Sequence, residues 1–359
     1  MTQASPATGR TLSHTELADY VAELFAWVGV PPAQAAGIAE IIVLADMRGM
    51  ESHGTRFVPR YIRGLAKGLL NAKPQLAFVG GRGAVAVLDA DNGLGFVSAR
   101  LGMERAIELA ARHGVGVVAV RNSNHFGTAC FYAMQALEAN MIGHATTDGP
   151  PHTVVWGGRE PMVCNDPIAW AFPTATPPAI VVDTALTGVK EKIRLAAERG
   201  ERIPPDWAVD AAGLPTTDPQ AALDGSLLPI GGHKGSALIV ANELLTGALA
   251  GALFSFEISQ ALVRGADHHD RWGCGHFLLA LDISAFTEVD VFLRRADQLA
   301  VTIRTTPRAQ GTERVYTPGE REWLCSEDRR RNGLPMSEPA LRALDTVAAE
   351  IGAPSRLLA

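Results

Sequence analysis

Apolar residues recur at helical spacing over 15–28 and again over 31–63, with Pro31-Pro32 marking a start, so the chain is predicted to open with helices reaching to about residue 70. The period then changes. Residues 84–89 alternate as a strand, Gly93-Leu94-Gly95 turns, 96–113 returns to helical spacing and 115–120 is a continuous apolar run, which together read as one strand, helix, strand unit. Further on, the pattern predicts helices at 134–140, 185–199, 235–256, 289–303 and 338–351, and strands at 142–146, 168–172, 180–183 and 277–283. Proline and glycine punctuate 150–167, and 204–220 is a proline-rich connection. The expected class is α/β, with a helical N-terminal lobe over 1–78 packed with 300–359, and an α/β region over 79–299 that forms a cleft.

With 359 residues, 47% of them hydrophobic and 19% charged, the chain has material for a large core and two lobes. A net charge of -6 with scattered Lys and Arg argues against a nucleic-acid partner, and Arg329-Arg330-Arg331 is read as a short solvated run. Asn242 and Glu243 interrupt the 235–256 stretch, which favours a buried helix over a membrane span. No basic patch leads into an apolar run at the N-terminus, so a cytoplasmic location is expected. Cys130, Cys164, Cys274 and Cys325 are isolated, as reduced thiols would be, and His268-His269-Asp270 are neighbours that rarely converge on an ion, so no metal is expected.

Candidate chemistry falls in a few clusters. In Ser52-His53-Gly54-Thr55-Arg56, read as helix, His53 and Arg56 lie three positions apart on one face. A proton carrier beside an anion clamp suits a 2-oxo or 2-hydroxy acid, whose carbonyl needs a proton and whose carboxylate needs a fixed positive charge; a plain helix surface is the alternative. Asn122-Ser123-Asn124-His125-Phe126-Gly127 follows a buried strand, where His125 is either a second proton carrier or a cap on the next helix. Pro229-Ile230-Gly231-Gly232-His233-Lys234-Gly235 opens a helix and could hold a phosphate, although it lacks the Walker residues. Asp183-Thr184-Ala185 is a natural place for cofactor contacts or an ordinary N-cap, and Pro318-Gly319-Glu320-Arg321 is a polar turn. Gly93-x-Gly95 begins a dinucleotide fingerprint but has Ser98 at the third glycine and no acid after the next strand.

Taken in order, these clusters resemble the type 2 malate/L-lactate dehydrogenase family, which includes ureidoglycolate and sulfolactate dehydrogenases, 2,3-diketogulonate reductase and cyclic imino acid reductases. The resemblance rests on Asp46-x-Arg48-Gly49-x-x-Ser52-His53-Gly54-x-Arg56 with Tyr61, on 122–127, on Asp183-Thr184-Ala185, on Gly213-x-Pro215-Thr216-Thr217-Asp218-Pro219 and on Pro229-x-Gly231-Gly232-x-Lys234-Gly235. It implies a non-Rossmann NAD(P)-binding fold with a mixed sheet, a homodimer, and reversible hydride transfer between NAD or NADP and a carbon beside a carboxylate. It also implies roles: His53 as general acid/base, Arg56 as carboxylate clamp, Ser52 as hydrogen-bond partner and His125 as second active-site histidine. Asp183, Thr184, Ala185, Lys192, Lys234, Gly319, Glu320 and Arg321 become cofactor contacts.

The chain departs from the family pattern at Cys164-Asn165-Asp166-Pro167, at Lys234-Gly235-Ser236 and at Thr146-Thr147-Asp148, which bears on substrate choice. Asp148 is assigned to the cofactor side, facing a ribose hydroxyl, an ammonium or His125, because a carboxylate would repel an anionic substrate. Either histidine, near its reference pKa of roughly 6.5, could serve both directions of the reaction at neutral pH. A non-catalytic small-molecule or nucleotide-binding protein of the same fold is the alternative function.

Overall fold

The computed structural model describes residues 9–258 and 273–358; His268, His269 and Asp270 lie outside them. β1 (Gly9–Leu12) pairs antiparallel with β11 (Leu334–Ser337), so the first described strand is held by a strand far along the chain. Between them α1 (His14–Trp27) starts at Ser13, whose side chain accepts the Thr15 N–H, and α2 (Pro32–Met47) carries Pro32 in its first turn, where a missing N–H costs nothing.

The helix predicted through residue 63 breaks between Met47 and α3 (Val58–Ala66). Gly49 sits at φ +74, and Gly54 is extended. A side chain at Gly54 would overlap the Asp46 carboxylate, which accepts the Thr55 backbone N–H at 2.8 Å. The carboxylate thereby replaces a helical carbonyl, and 51–53 and 55–57 become two short 3-10 turns. His53 and Arg56 therefore do not share a regular helix face.

α1 to α3 pack against α10 (Glu320–Asn332) and α11 (Glu338–Glu350). Leu17, Phe25, Ile42, Ile62, Leu344 and Val347 are buried there, in one core that continues under the main sheet. Tyr20 donates to Asp345 at 3.0 Å, and Arg63 forms a two-point pair with Glu350.

Seven strands build that sheet, in the order β2 (Ala77–Gly80), β3 (Val85–Asp89), β4 (Val115–Ser123), β10 (Cys274–Asp282), β5 (Met141–Thr147), β6 (Ile168–Phe172), β7 (Ile180–Thr184). β3 and β4, joined by α4 (Gly95–His113), are its parallel pair, and the remaining neighbours are antiparallel. This mixed topology is not a doubly wound parallel sheet, which explains the incomplete glycine fingerprint. Gly95 is required for packing instead: a Cβ there would overlap the Asn124 carbonyl in the loop that carries His125.

β4 outruns its predicted end because its polar residues find partners on β3, Arg121 Nε and Asn122 Nδ2 each reaching Asp89 at 3.1 Å. The helix expected from 185 begins only at Lys190, as α6 (Lys190–Arg199), so Asp183-Thr184-Ala185 is not a helix cap but the end of β7 and a loop. The stretch 235–256 is not one helix either. α8 (His233–Glu243) gives way to a π-helical turn, Leu244–Leu249, and the chain then turns at Gly251, φ +70. Among the described residues no helix is long and apolar enough to cross a membrane.

Candidate active site

Three aromatic side chains from two segments stack where the 3-10 turns meet the loop after β4. The rings of His53 and His125 lie 5.8 Å apart at 14°, and Phe57 stacks 6.3 Å from His53 and 5.8 Å from His125. Tyr61, one turn along α3, brings its Oη to 2.6 Å from His125 Nδ1. The Gly127 backbone N–H points at the same nitrogen, at 3.3 Å. A backbone N–H can only donate, so Nδ1 is an acceptor and Tyr61 is its second donor; the neutral ring then carries its proton on Nε2. Ser52 Oγ lies 2.9 Å from His53 Nδ1.

The loop carrying His125 is fastened from below. Asn124, 2% exposed, donates through Nδ2 to the Asn92 and Gly93 carbonyls at 3.0 and 2.9 Å, and Tyr132 donates to the Phe126 carbonyl. Burial lowers His53 to about 4, and lowers His125 well below the usual histidine range, helped by His53, Arg60 and His276 nearby. The expectation of a histidine near 6.5 is therefore corrected. The packing that fixes the geometry of both rings also favours their neutral form.

His53 opens onto a cavity of about 500 Å³ that Ser52, Arg56, Phe57, Asp183, Thr184 and Ala185 also line, together with Thr128, Asn165, Glu191 and Arg194. The sequence clusters at 52–56 and 183–185, far apart in the chain, thus converge. Asp183 accepts the Cys130 N–H at 3.3 Å, and burial raises its pKa. Arg56 is exposed and donates to Glu191 at 2.6 Å.

Other candidates stand apart from that cavity. Asp148 is buried and faces Gly275, accepting its N–H at 2.9 Å, rather than His125. Burial and Glu243 raise its pKa well above the carboxylate range. Lys192 lies over the Trp207 ring, 6.0 Å from its centre, and Lys234 is exposed at the start of α8. Glu320 is buried and paired with Arg304 and Arg314, while Arg321 lies over Tyr316. Gly319 lines a second cavity of about 320 Å³ with Arg48 and Trp323.

The sequence reading missed Phe57, Thr128, Asn165, Glu191 and Arg194, and gave Tyr61 no role. Tyr61 had a signal in its place beside the 46–56 pattern. Asn165 had one as part of the departing stretch 164–167, and Phe57, Thr128, Glu191 and Arg194 had none short of the fold.

The malate/L-lactate dehydrogenase family model matches residues 12–345. Malate dehydrogenase of Pyrococcus abyssi is 33% identical over 346 residues, covering 94% of each chain. Ureidoglycolate dehydrogenase (NAD(+)) of Escherichia coli is 33% identical over 293 residues, covering 81% of this chain and 82% of its own. The solved sulfolactate dehydrogenase of Methanocaldococcus jannaschii aligns with a TM-score of 0.88 at 34% identity, over 96% of this chain and 98% of its own. The solved delta1-piperideine-2-carboxylate reductase of Pseudomonas syringae gives 0.84 at 30%, over 94% and 100%. On this coverage the chain belongs to the malate/L-lactate dehydrogenase family, and it is an NAD(P)-dependent oxidoreductase.

Proposed function

We propose that this protein moves a hydride reversibly between NAD(P)H and the carbon beside the carboxylate of a small 2-oxo or 2-hydroxy acid, or of a cyclic imino acid. The observation that carries the reading is the His53 and His125 stack beside a cavity that also holds Arg56. Thr128, Asn165 and Thr184 supply polar groups for a ribose and a carboxamide, and Met50, Phe57, Pro167 and Val189 supply apolar walls, a lining that fits the nicotinamide end of the cofactor. The cofactor, when bound, supplies or takes the hydride.

The chain's own residues do the rest. Arg56 orients the carboxylate through its planar fork. His125, held as the Nε2–H tautomer by Tyr61 and Gly127, polarises the carbonyl or imine. His53 takes the proton from the hydroxyl in oxidation and returns it in reduction. Screening 2-oxo acids and cyclic imines with NADH and with NADPH tests the reading, and no turnover of any carboxylate would sink it.

Tyr61→Phe removes the hydroxyl that fixes the His125 tautomer. It is expected to lower kcat by about 10-fold or more with the fold retained, as measured by steady-state kinetics beside thermal unfolding. Arg56→Lys keeps the charge but loses the fork, and should raise KM for carboxylate substrates by about 10-fold. An unchanged KM would remove Arg56 from the substrate.

The protein is further proposed to form a homodimer in the cytoplasm. Ala237, Leu238, Ala241, Leu244, Ala248 and Leu249 recur at helical spacing, and all are exposed, the three leucines at 52%, 54% and 59%. An outward apolar stripe of this kind is what a second copy covers. Leu244→Glu is expected to halve the mass in sedimentation, and an unshifted mass would show that this face is not the contact. Cys130, Cys164, Cys274 and Cys325 are free thiols, which supports a reducing compartment.

A further inference from the structure

Arg56 is not alone at the cavity wall. Glu191 Oε1 accepts from Arg56 Nη1 at 2.6 Å and from Arg194 Nη2 at 2.6 Å, and its Oε2 accepts from Arg194 Nε at 3.2 Å. All three side chains line the cavity that holds His53. One of the chain's own carboxylates thus sits on the guanidinium that the proposed reaction gives to the substrate.

The two arginines hold Glu191 unequally. Arg194 grips it with two nitrogens and gives its third, Nη1, to Glu198 at 2.6 Å, so this pair stays within one turn of α6. Arg56 reaches across from the 55–57 turn with a single nitrogen. A carboxylate joined to a carbonyl can take a guanidinium through two parallel N–H donors, a stronger arrangement than one.

We infer that Glu191 sets the affinity for the substrate as a built-in competitor, an internal carboxylate that occupies Arg56 and must be displaced by the carboxylate of the substrate. This rests on the clamp role of Arg56 proposed above. Displacement needs only that Arg56 swing away, since Arg194 keeps Glu191 in place. A neutral carbonyl compound offers nothing that competes for Arg56 and leaves the contact closed. The carboxylate of a 2-oxo or 2-hydroxy acid opens it at a cost, so Glu191 sets how tightly that class is held. Its hydrogen bonds to Arg194 first, and then to Arg56, hold its carboxyl below the usual range, so it remains an anion and a competitor at neutral pH.

The test compares wild type with Glu191→Gln, which keeps shape and removes charge, and with Glu191→Ala. Oxamate, a planar carboxylate that does not react, is titrated calorimetrically in the presence of NADH, and KM and kcat are measured for pyruvate or whichever 2-oxo acid is turned over. Both variants are expected to bind oxamate about fivefold more tightly, with the gain in KM rather than kcat, the range of an exposed ion pair. Equal or weaker binding by both variants overturns the inference and leaves the clamp standing. If oxamate binds none of the three proteins and no 2-oxo acid is reduced, the clamp and the competitor fall together.

Discussion

His53→Ala is expected to lower kcat by about 10³-fold, within the range that loss of a positioned proton carrier produces, while the protein folds and binds carboxylates with nearly native affinity. Histidine 53 sits on a 3-10 turn rather than inside a helix, and its ring stacks between side chains instead of being threaded through the core. Truncation therefore removes a reacting group more than it removes structure. Steady-state kinetics in both directions, with thermal unfolding as the control, check the outcome. Imidazole added to the variant should restore part of the rate, and turnover left intact would transfer the role to another residue. His125→Ala should also be slow, but without rescue of the pH profile described next, because its part is to polarise and not to ferry.

The dependence on pH should differ sharply between the two directions. Burial holds His53 at about 4 in the free enzyme. Oxidation needs the neutral ring, which is nearly fully present above about pH 5, so kcat/KM for a hydroxy acid should be flat from there upward. Reduction needs the protonated ring, whose fraction falls tenfold with each unit above its pKa. Between pH 5 and pH 8 kcat/KM for an oxo acid should then fall by about 10³-fold, as large an effect as the loss of His53 itself. Initial rates of NAD(P)H formation and loss across that interval check both limbs. An inflection near 6.5 in the oxidation profile would mean that His53 is wetter than the packing around it allows.

Much of the scaffold was legible because its elements obey one period each. The strand at Ile168–Phe172 and the helix at Val289–Thr305 follow directly from a short continuous apolar run and from amphipathic spacing. The failures share a cause, side chains that stand in for backbone. Asp46 accepting the Thr55 N–H helps end a helix whose apolar pattern continues, and locally only Gly49 and Gly54 announce it. Asn242 and Glu243, which favoured a buried helix over a membrane span, are indeed buried in α8 and paired with Asp166 and Ser255, and the single helix expected over 235–256 ends just after them in a π-helical turn. Of the site, the histidines and Arg56 could be named from residue type and spacing. Glu191, 135 positions from Arg56, could not, because its meaning comes only from the partner it touches.

The pairing of β1 with β11 has a consequence for how the enzyme is made. Leu12 needs Leu334 as its ladder partner, and the first helices need the last one beside them. On the ribosome, the turn bearing His53 emerges early but waits for nearly the whole polypeptide before its lobe can close. Nascent chains should accordingly stay inactive until residues 334–350 have left the ribosome, and deleting that segment should harm assembly as much as deleting residues 9–27.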